Sequence, residues 1–497
     1  MAVSHELKEV ADIGICFSKE RSIGGLVEVI LDKALEIANC DGGVLYLNRH
    51  NALLYSGARI ISKNVKANTF NEKTVFQPIP LEDREVCTYA ALHKETVNIE
   101  NIKDANNFAF TVEKKFDREL GYQTVSTLVV PLQNQEGEAV GVLQLINAQN
   151  TFGKIVAFNA KTELLLRSLA AQAGISISNI IYLDEIKHQL YSFVEAFTAL
   201  IDERTPYNGD HTRMVTVYAS MIVDCINEHY KQGDCDDYMD ENRREQLLMA
   251  AALHDIGKMA VPLSVMNKDT RLHKNLEKIE ERFKLLKALW EIEYLKGRTS
   301  KEQYEQECLF LSDTLLFIKE INVQGILETQ VIEKVQKLAE KFFACEDGRK
   351  IYYLSDYEVQ CLTIKKGTLT EEERNMMQDH VVMTEKILKK MYFNEHYSKV
   401  PKYAVSHHEF LDGTGYPYHL KAEELELETR ILTVADVYDA LTASDRPYKK
   451  PLPKQKAMEV LHLMADEGKL EKRLVNYLEE AILEADILGF GKDNMYL

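Results

Sequence analysis

The chain has 497 residues, 45% of them hydrophobic and 28% charged, which is the make-up of an ordinary globular protein long enough for two or three domains. Its net charge of −18, from 60 basic against 78 acidic residues, argues against a general nucleic-acid binder or a binder of anionic membranes; an anionic substrate would need local cations, either metal ions or a few placed Lys and Arg. Eight scattered cysteines without a C-x-x-C, no charged-then-apolar N-terminal pattern and no apolar run approaching bilayer length set the expectation of a cytoplasmic protein with reduced thiols.

Residues 7 to about 40 carry helical periodicity, at Val10 and Ile13 and then at Leu26, Val29, Ile30 and Ala34. Residues 43–47 and 52–55 then flank a polar turn at 48–51, and residues 126–132 and 139–146 flank a second at 133–137, giving two hairpin signals. A long helical pattern follows, so this part of the chain is expected to be an α+β domain. Phe116-Asp117-Arg118-Glu119-Leu120-Gly121-Tyr122, the apolar strand ending in Pro131-Leu132, and residues 138–147 together resemble a GAF domain, over residues 7–182. The resemblance implies a sensor that binds a cyclic nucleotide, bilin or haem, or that binds nothing and dimerises. No cysteine stands at an obvious bilin attachment point, and Asp117 and Glu119 read as a solvated loop ahead of a ligand contact.

From 160 to 200, Leu164, Leu165, Leu169, Ile175, Ile186, Leu190 and Phe193 recur at helical spacing, with Gly174 the only glycine and no proline. Two readings stand side by side: a continuous connecting helix paired across a homodimer, or a helix that closes the first domain's core.

Past a turn at 205–209, Asp210 is placed to cap a helix that His211 opens, with Met214, Val215, Val217 and Tyr218 as its apolar face. The apolar run 247–253 ends in His254-Asp255-Ile256-Gly257-Lys258. A buried helix stopped at Gly257 would carry an imidazole and a carboxylate at its buried end. Such donors suit Fe, Mn, Zn or Ni better than Ca or Mg, and a carboxylate can bridge two ions. His380 lies in a helix opened by the capping box Thr370-x-x-Glu373. His407 and His408 begin the string His-His-Glu-x-x-Asp-Gly-x-Gly-Tyr-Pro, and Asp436 sits in an apolar helix, where a buried carboxylate needs a partner, a cation first of all.

That string, with Ala435-Asp436-Val437-Tyr438-Asp439-Ala440-Leu441-Thr442 and Asp445-Arg446-Pro447-Tyr448-Lys449, resembles the HD-GYP family over residues 192–497. The family consists of HD-domain metallohydrolases that cleave cyclic di-GMP. The resemblance implies an all-helical bundle and two divalent ions, Fe or Mn, on His211, His254, Asp255, His380, His407, His408 and Asp436. It places Lys258, Asp439, Arg446, Lys449 and the Gly415-Tyr416-Pro417 loop around the substrate. In this scheme Asp255 bridges the ions, Lys258 neutralises the scissile phosphate, and Asp439 orients the attacking water or takes its proton. Arg446 would grip the second phosphate or a guanine edge, the alternative for it and Lys449 being a solvated basic patch. Some family members carry a glutamate one turn before the first ligand histidine, which helps hold a third metal. Here that position is Tyr207, and a phenol with a pKa of about 10 is a poor ligand, so two ions are expected.

The family pattern is interrupted over 272–367, and His380 follows Asp255 by 125 positions. The insertion reads as helical: a first helix through Leu276, Ile279, Phe283 and Trp290, a second opened by a Ser300-x-x-Gln303 capping box, a third over 326–344, and a fourth capped by Ser355-x-x-Glu358. It carries no motif with chemistry and is expected to be a lid or a partner surface. The sequence thus implies a multidomain phosphodiesterase, an α+β sensor followed by an all-α bundle with a helical insertion, that converts cyclic di-GMP to linear pGpG. The alternatives are a module that binds the dinucleotide without hydrolysing it, and an HD hydrolase for 3'3'-cyclic GMP-AMP or other nucleotides.

Overall fold

The computed structural model describes residues 14–68, 77–82, 84–103, 117, 121–204, 210–443 and 451–487. The chain divides into two compact units, Met1–Tyr191 and Ser192–Leu497.

In the first unit, α1 (Ile23–Ala38) starts where the Ser22 side chain accepts the Gly25 N–H and stops at Asn39, which takes the left-handed conformation with φ of 44°. The strands are β1 (Cys40–Arg49), β2 (Ala52–Ile60), β3 (Val65–Asn68), β4 (Ile79–Pro80), β5 (Val97–Ile99), β6 (Thr127–Gln133), β7 (Ala139–Gln149) and β8 (Ile155–Val156). They form one antiparallel sheet in the order β3-β2-β1-β7-β6-β5, with β4 on β2 and β8 on β7. The first hairpin is tighter than the four-residue turn expected. Arg49 pairs with Ala52 across His50-Asn51, both at positive φ (49° and 61°), as a primed two-residue turn requires. One face of the sheet packs on α1 and on Leu166, Leu169, Ala170 and Ala173 of α3 (Ala160–Arg204). The other packs on Val86, Cys87 and Ala90 of α2 (Val86–His93). Each fully buried Leu or Ile in these layers contributes about 1.5–3 kcal/mol.

The helix over Ala160–Leu200 corrects one expectation. By length and composition alone it is apolar enough to cross a membrane, although the core of a globular protein passes the same test. Its first half is core, whereas Leu183, Ile186, Phe193 and Leu200 are exposed.

The second unit is built on α4 (His211–Gln232), α5 (Glu241–Leu253), a 3-10 turn (Ile256–Ala260) and α6 (Leu263–Met266). After the insertion come α11 (Glu371–Leu388), α12 (Val400–Val405), α13 (Leu427–Thr442), α14 (Lys454–Asp466) and α15 (Lys472–Ile487). The insertion folds around its own core, in which Leu272, Phe283, Leu311, Ile318, Val335 and Leu362 pack together. Its helices are α7 (Asn275–Leu295), α8 (Lys301–Asn322), α9 (Thr329–Ala339) and α10 (Asp356–Leu362).

Two details of the insertion differ from expectation, and a third agrees with it. The third helix ends at Ala339, and β9 (Phe342–Ala344) and β10 (Lys350–Tyr352) make a small hairpin, turned at Gly348 with φ of 83°. Ser300 caps α8, but Gln303 bonds Thr299 instead of completing the box. The Ser355/Glu358 box is reciprocal, and Glu358 also takes both guanidinium nitrogens of Arg282.

Candidate metal centre

Short helix ends carry the histidines, and the backbone fixes how each ring points. His254 follows α5, His380 lies within α11 and His407 follows α12. In each case Nδ1 lies 2.6 Å from the carbonyl three residues earlier, that of Ala251, Met377 and Ala404 respectively. A carbonyl only accepts, so Nδ1 carries the proton, and Nε2 offers a lone pair toward the interior.

These three Nε2 atoms and Asp255 Oδ1 are buried and make no hydrogen bond. Asp255 Oδ1 lies 3.2 Å from His380 Nε2 and 4.0 Å from His407 Nε2. Its Oδ2 lies 3.1 Å from His254 Nε2 and 3.3 Å from His211 Nε2. Asp436 closes the ring, with Oδ1 3.4 Å from His211 Nε2 and Oδ2 3.5 Å from His408 Nδ1. Lone pairs facing lone pairs in a buried site repel unless a cation lies between them, and an unpaired buried polar atom costs on the order of 1–3 kcal/mol.

Two donor groups result, His211/His254/Asp436 and His380/His407/His408, each with its ligand atoms within 4.8 Å of one another. Asp255 turns one oxygen toward each. Imidazole and carboxylate donors in this arrangement fit transition-metal ions, with Asp255 between them. Burial, reinforced by His408 and His254, holds His407 well below the usual imidazole range, and burial pushes His408 down to about 3. Both therefore stand ready as neutral donors. Burial opposes ionisation of Asp255 and Asp436, but the neighbouring imidazoles, joined by Lys258 at Asp255, hold both carboxyls well below their ordinary range.

Asp439 and Lys258 lie at the centre, and Asp210 departs from its expected role. Asp439 is buried, and its Oδ2 lies 2.6 Å from His211 Nδ1. Asp210 stands at the cap position of α4 but makes no side-chain cap; its carboxylate pairs with Arg213 at 3.3 Å. Lys258 Nζ lies against Asp255 Oδ2 with its side chain 16% exposed, so it reaches both the centre and solvent. Arg446, Lys449 and Tyr207 lie outside the described residues, as does Glu119, whereas Asp117 bonds Thr124 at 2.7 Å.

Other residues hold the site together, and of these Thr384 lies in no motif. Thr384 Oγ1 donates to the His254 carbonyl and accepts the Gly257 N–H, both at 3.0 Å, fastening the His-Asp turn to the helix of His380. Glu409, 1% exposed, accepts the N–H groups of Tyr418 (2.6 Å) and Leu420 (3.0 Å). Those bonds fold the loop back over the histidine pair. Gly415 must be glycine, because a Cβ there would stand 2.4 Å from the Glu409 Cα. Tyr416 is thereby set with its ring 4.8 Å from that of His408, and Pro417 continues the same loop. The reciprocal Thr370/Glu373 box opens α11 as expected.

Comparison with known proteins matches residues 23–177 to the GAF domain family, and residues 208–316 and 357–474 to two HD domain families. The chain thus carries a GAF domain and HD-domain sequence. Among curated relatives, the 3'3'-cGAMP-specific phosphodiesterase 3 of Vibrio cholerae is 42% identical over 20% of this chain and 20% of its own length. The cyclic di-GMP phosphodiesterase response regulator RpfG of Xanthomonas campestris is 39% identical over 22% of this chain and 27% of its own. A cyclic di-GMP phosphodiesterase of Thermotoga maritima is 36% identical over 22% and 28%. The matches span about a fifth to a quarter of these relatives' lengths.

Proposed function

We propose that the chain is a metal-dependent phosphodiesterase that hydrolyses cyclic di-GMP to linear pGpG, at a centre of His211, His254, Asp255, His380, His407, His408 and Asp436, under control of its GAF domain. The observation that carries the proposal is the convergence of three unbonded Nε2 atoms on an unbonded Asp255 oxygen in a buried site. Two divalent ions bound there, iron or manganese, would supply hydroxide at neutral pH and withdraw charge from the phosphate. Asp255, with an oxygen toward each donor group, keeps the two sites in register. Lys258, beside Asp255 and partly open to solvent, neutralises the scissile phosphate as the pentavalent charge builds. Asp439 holds His211 in the tautomer that presents Nε2. Arg446 grips the second phosphate or a guanine edge, Lys449 lies beside the substrate, and the Gly415-Tyr416-Pro417 loop borders the site next to His408.

Leu183, Ile186, Phe193, Phe197 and Leu200, at successive steps of three, seven, four and three residues, are exposed, which supports a homodimer seam along α3. A cytoplasmic location agrees with a nucleotide substrate. The relatives' names favour a second substrate, 3'3'-cyclic GMP-AMP, over a module that only binds. The deciding experiment is product analysis with each dinucleotide, on anaerobically purified protein of known metal content. Asp255→Ala should lose both metal and hydrolysis; hydrolysis by that variant with its full metal complement would end the proposal.

A further inference from the structure

We propose that Cys225, His229 and Glu480 form a second metal site, suited to a single thiolate-seeking divalent ion such as zinc, that joins the C-terminal part of α4 to α15. It shares no residue with the His/Asp centre. Cys225 and His229 lie 14 and 18 residues beyond His211 in one helix, about 20–27 Å further along its axis.

Cys225 and His229 are four apart, so their side chains leave the same face of α4 on successive turns. Glu480 meets them from α15, and one ligand atom from each of the three lies within 4.8 Å of the others. The sulfur, imidazole and carboxylate donors make a set that Zn2+ takes and that Ca2+ and Mg2+ do not.

The surroundings are those of a ligand histidine. Nε2 of His229 faces Glu480 Oε2 at 3.1 Å, while Nδ1 lies 3.5 Å from Asp234 Oδ2, the outer carboxylate that fixes a ligand's tautomer. The ring is stacked on Tyr477 at 4.8 Å, which sets its plane. The His229 side chain is 22% exposed and that of Glu480 47%, so an ion can enter from solvent and a water can complete a tetrahedron.

Burial, with Glu480 and Glu484 nearby, pushes the Cys225 thiol up to about 12. A bound cation deprotonates a coordinating thiol outright. On binding, the Cys225 S–H proton and the proton that His229 Nε2 shares with Glu480 both leave to solvent, and the sulfur and Nε2 take their places on the ion. One thiolate and one carboxylate then neutralise the two positive charges.

The test is a cobalt titration of the full-length chain under reductant. The His/Asp centre contains no cysteine, so the near-ultraviolet charge-transfer band from thiolate to Co2+ reports the new site alone. The expected result is a band that saturates at one equivalent per chain, persists in Asp255→Ala and is absent in Cys225→Ser. No band in the unmodified chain, or a band that survives Cys225→Ser, overturns the proposal and leaves His229–Glu480 as an ordinary ion pair. Should Cys225→Ser fail to fold, His229→Gln at the half-open surface decides: cobalt affinity should fall about tenfold or more, and unchanged affinity overturns the site.

Discussion

The backbone of Gly257 lies so close to α11 that a Cβ on it would stand 1.8 Å from the carbonyl oxygen of His380. The same added atom would stand 2.5 Å from the Thr384 nitrogen. The glycine after the His-Asp doublet is therefore less a helix breaker than the surface against which two ligand-bearing segments close. Gly257→Ala should cost about 1–3 kcal/mol by overpacking, or more because backbone cannot yield, and should separate His254 and Asp255 from His380. Urea denaturation and metal content measured on one preparation check this. Normal metal content in that variant would show that the close approach is dispensable.

Asp439→Asn keeps the shape of the side chain but offers an N–H or a weaker acceptor to His211 Nδ1. The imidazole then loses the partner that holds its tautomer, and metal affinity should fall about 10–100-fold. Competition with a chelator measures the change. Had Asp439 instead faced a catalytic water, turnover would drop at unchanged metal affinity, so the two roles separate cleanly.

That these seven residues belong together was legible because chemistry made them unusual: two carboxylates and five histidines in apolar or glycine-rich settings, which the fold brings to one place. What was not legible were the groups that aim it. Thr384 is one polar residue inside an amphipathic helix, and its two hydrogen bonds, to His254 and Gly257, span about 130 positions of chain. Glu409 stood inside the quoted string, yet only the fold reveals that it holds the loop by the N–H groups of Tyr418 and Leu420. Strands β1, β2, β6 and β7 and the connecting helix followed from periodicity, whereas the two- to four-residue strands β3, β4, β5 and β8 did not. Nor did the β9/β10 hairpin, because three-residue strands fall below the span over which alternation can be read.

A buried ion pair sets the acid limb of stability. Lys268 Nζ lies 2.6 Å from Glu373 Oε2, with the two side chains 2% and 11% exposed. Burial alone would raise the Glu373 carboxyl, but Lys268, the Thr370 N–H and the Tyr357 hydroxyl outweigh it and hold it below its ordinary value. A carboxyl depressed in the folded state adds stability at pH values above its unfolded pKa of about 4.3, and that stability is lost as pH falls through the folded value. Glu373→Gln should therefore cost about 3–5 kcal/mol near neutral pH, since Lys268 is left buried and unpaired. The gap from the unmodified chain should narrow below about pH 4. Urea midpoints across pH read both, and a constant gap would remove the pair as the cause.

Replacing residues 273–366 by a short Gly/Ser linker should leave a folded protein that still binds metal. The insertion's core is made of its own residues, and both Lys268 and Glu373 lie outside the deleted stretch. Some stability must be lost. Arg271, fully buried, donates to the carbonyls of Ile364 and Gln324, and Tyr357 donates to Glu373 at 2.7 Å. Circular dichroism and metal analysis decide, and an insoluble or metal-free product would make the insertion part of the catalytic core.

The number of ions at the His/Asp centre should be two. The position one turn before His211, where a glutamate could help hold a third, is Tyr207, and a phenol, with an ordinary pKa of about 10, is a poor ligand at neutral pH. The donors in the structure form two groups of three with Asp255 facing both, and Asp210 is engaged with Arg213. With two ions the first phosphodiester is cut, and the linear dinucleotide should accumulate because the second cleavage is slow. The measurement is elemental analysis of anaerobically purified Cys225→Ser protein, so that a thiolate-bound ion is not counted, with chromatography of the products over time. Three ions at the His/Asp centre with rapid formation of GMP would overturn the count and direct attention to Asp202 or Glu203, the carboxylates just ahead of the turn.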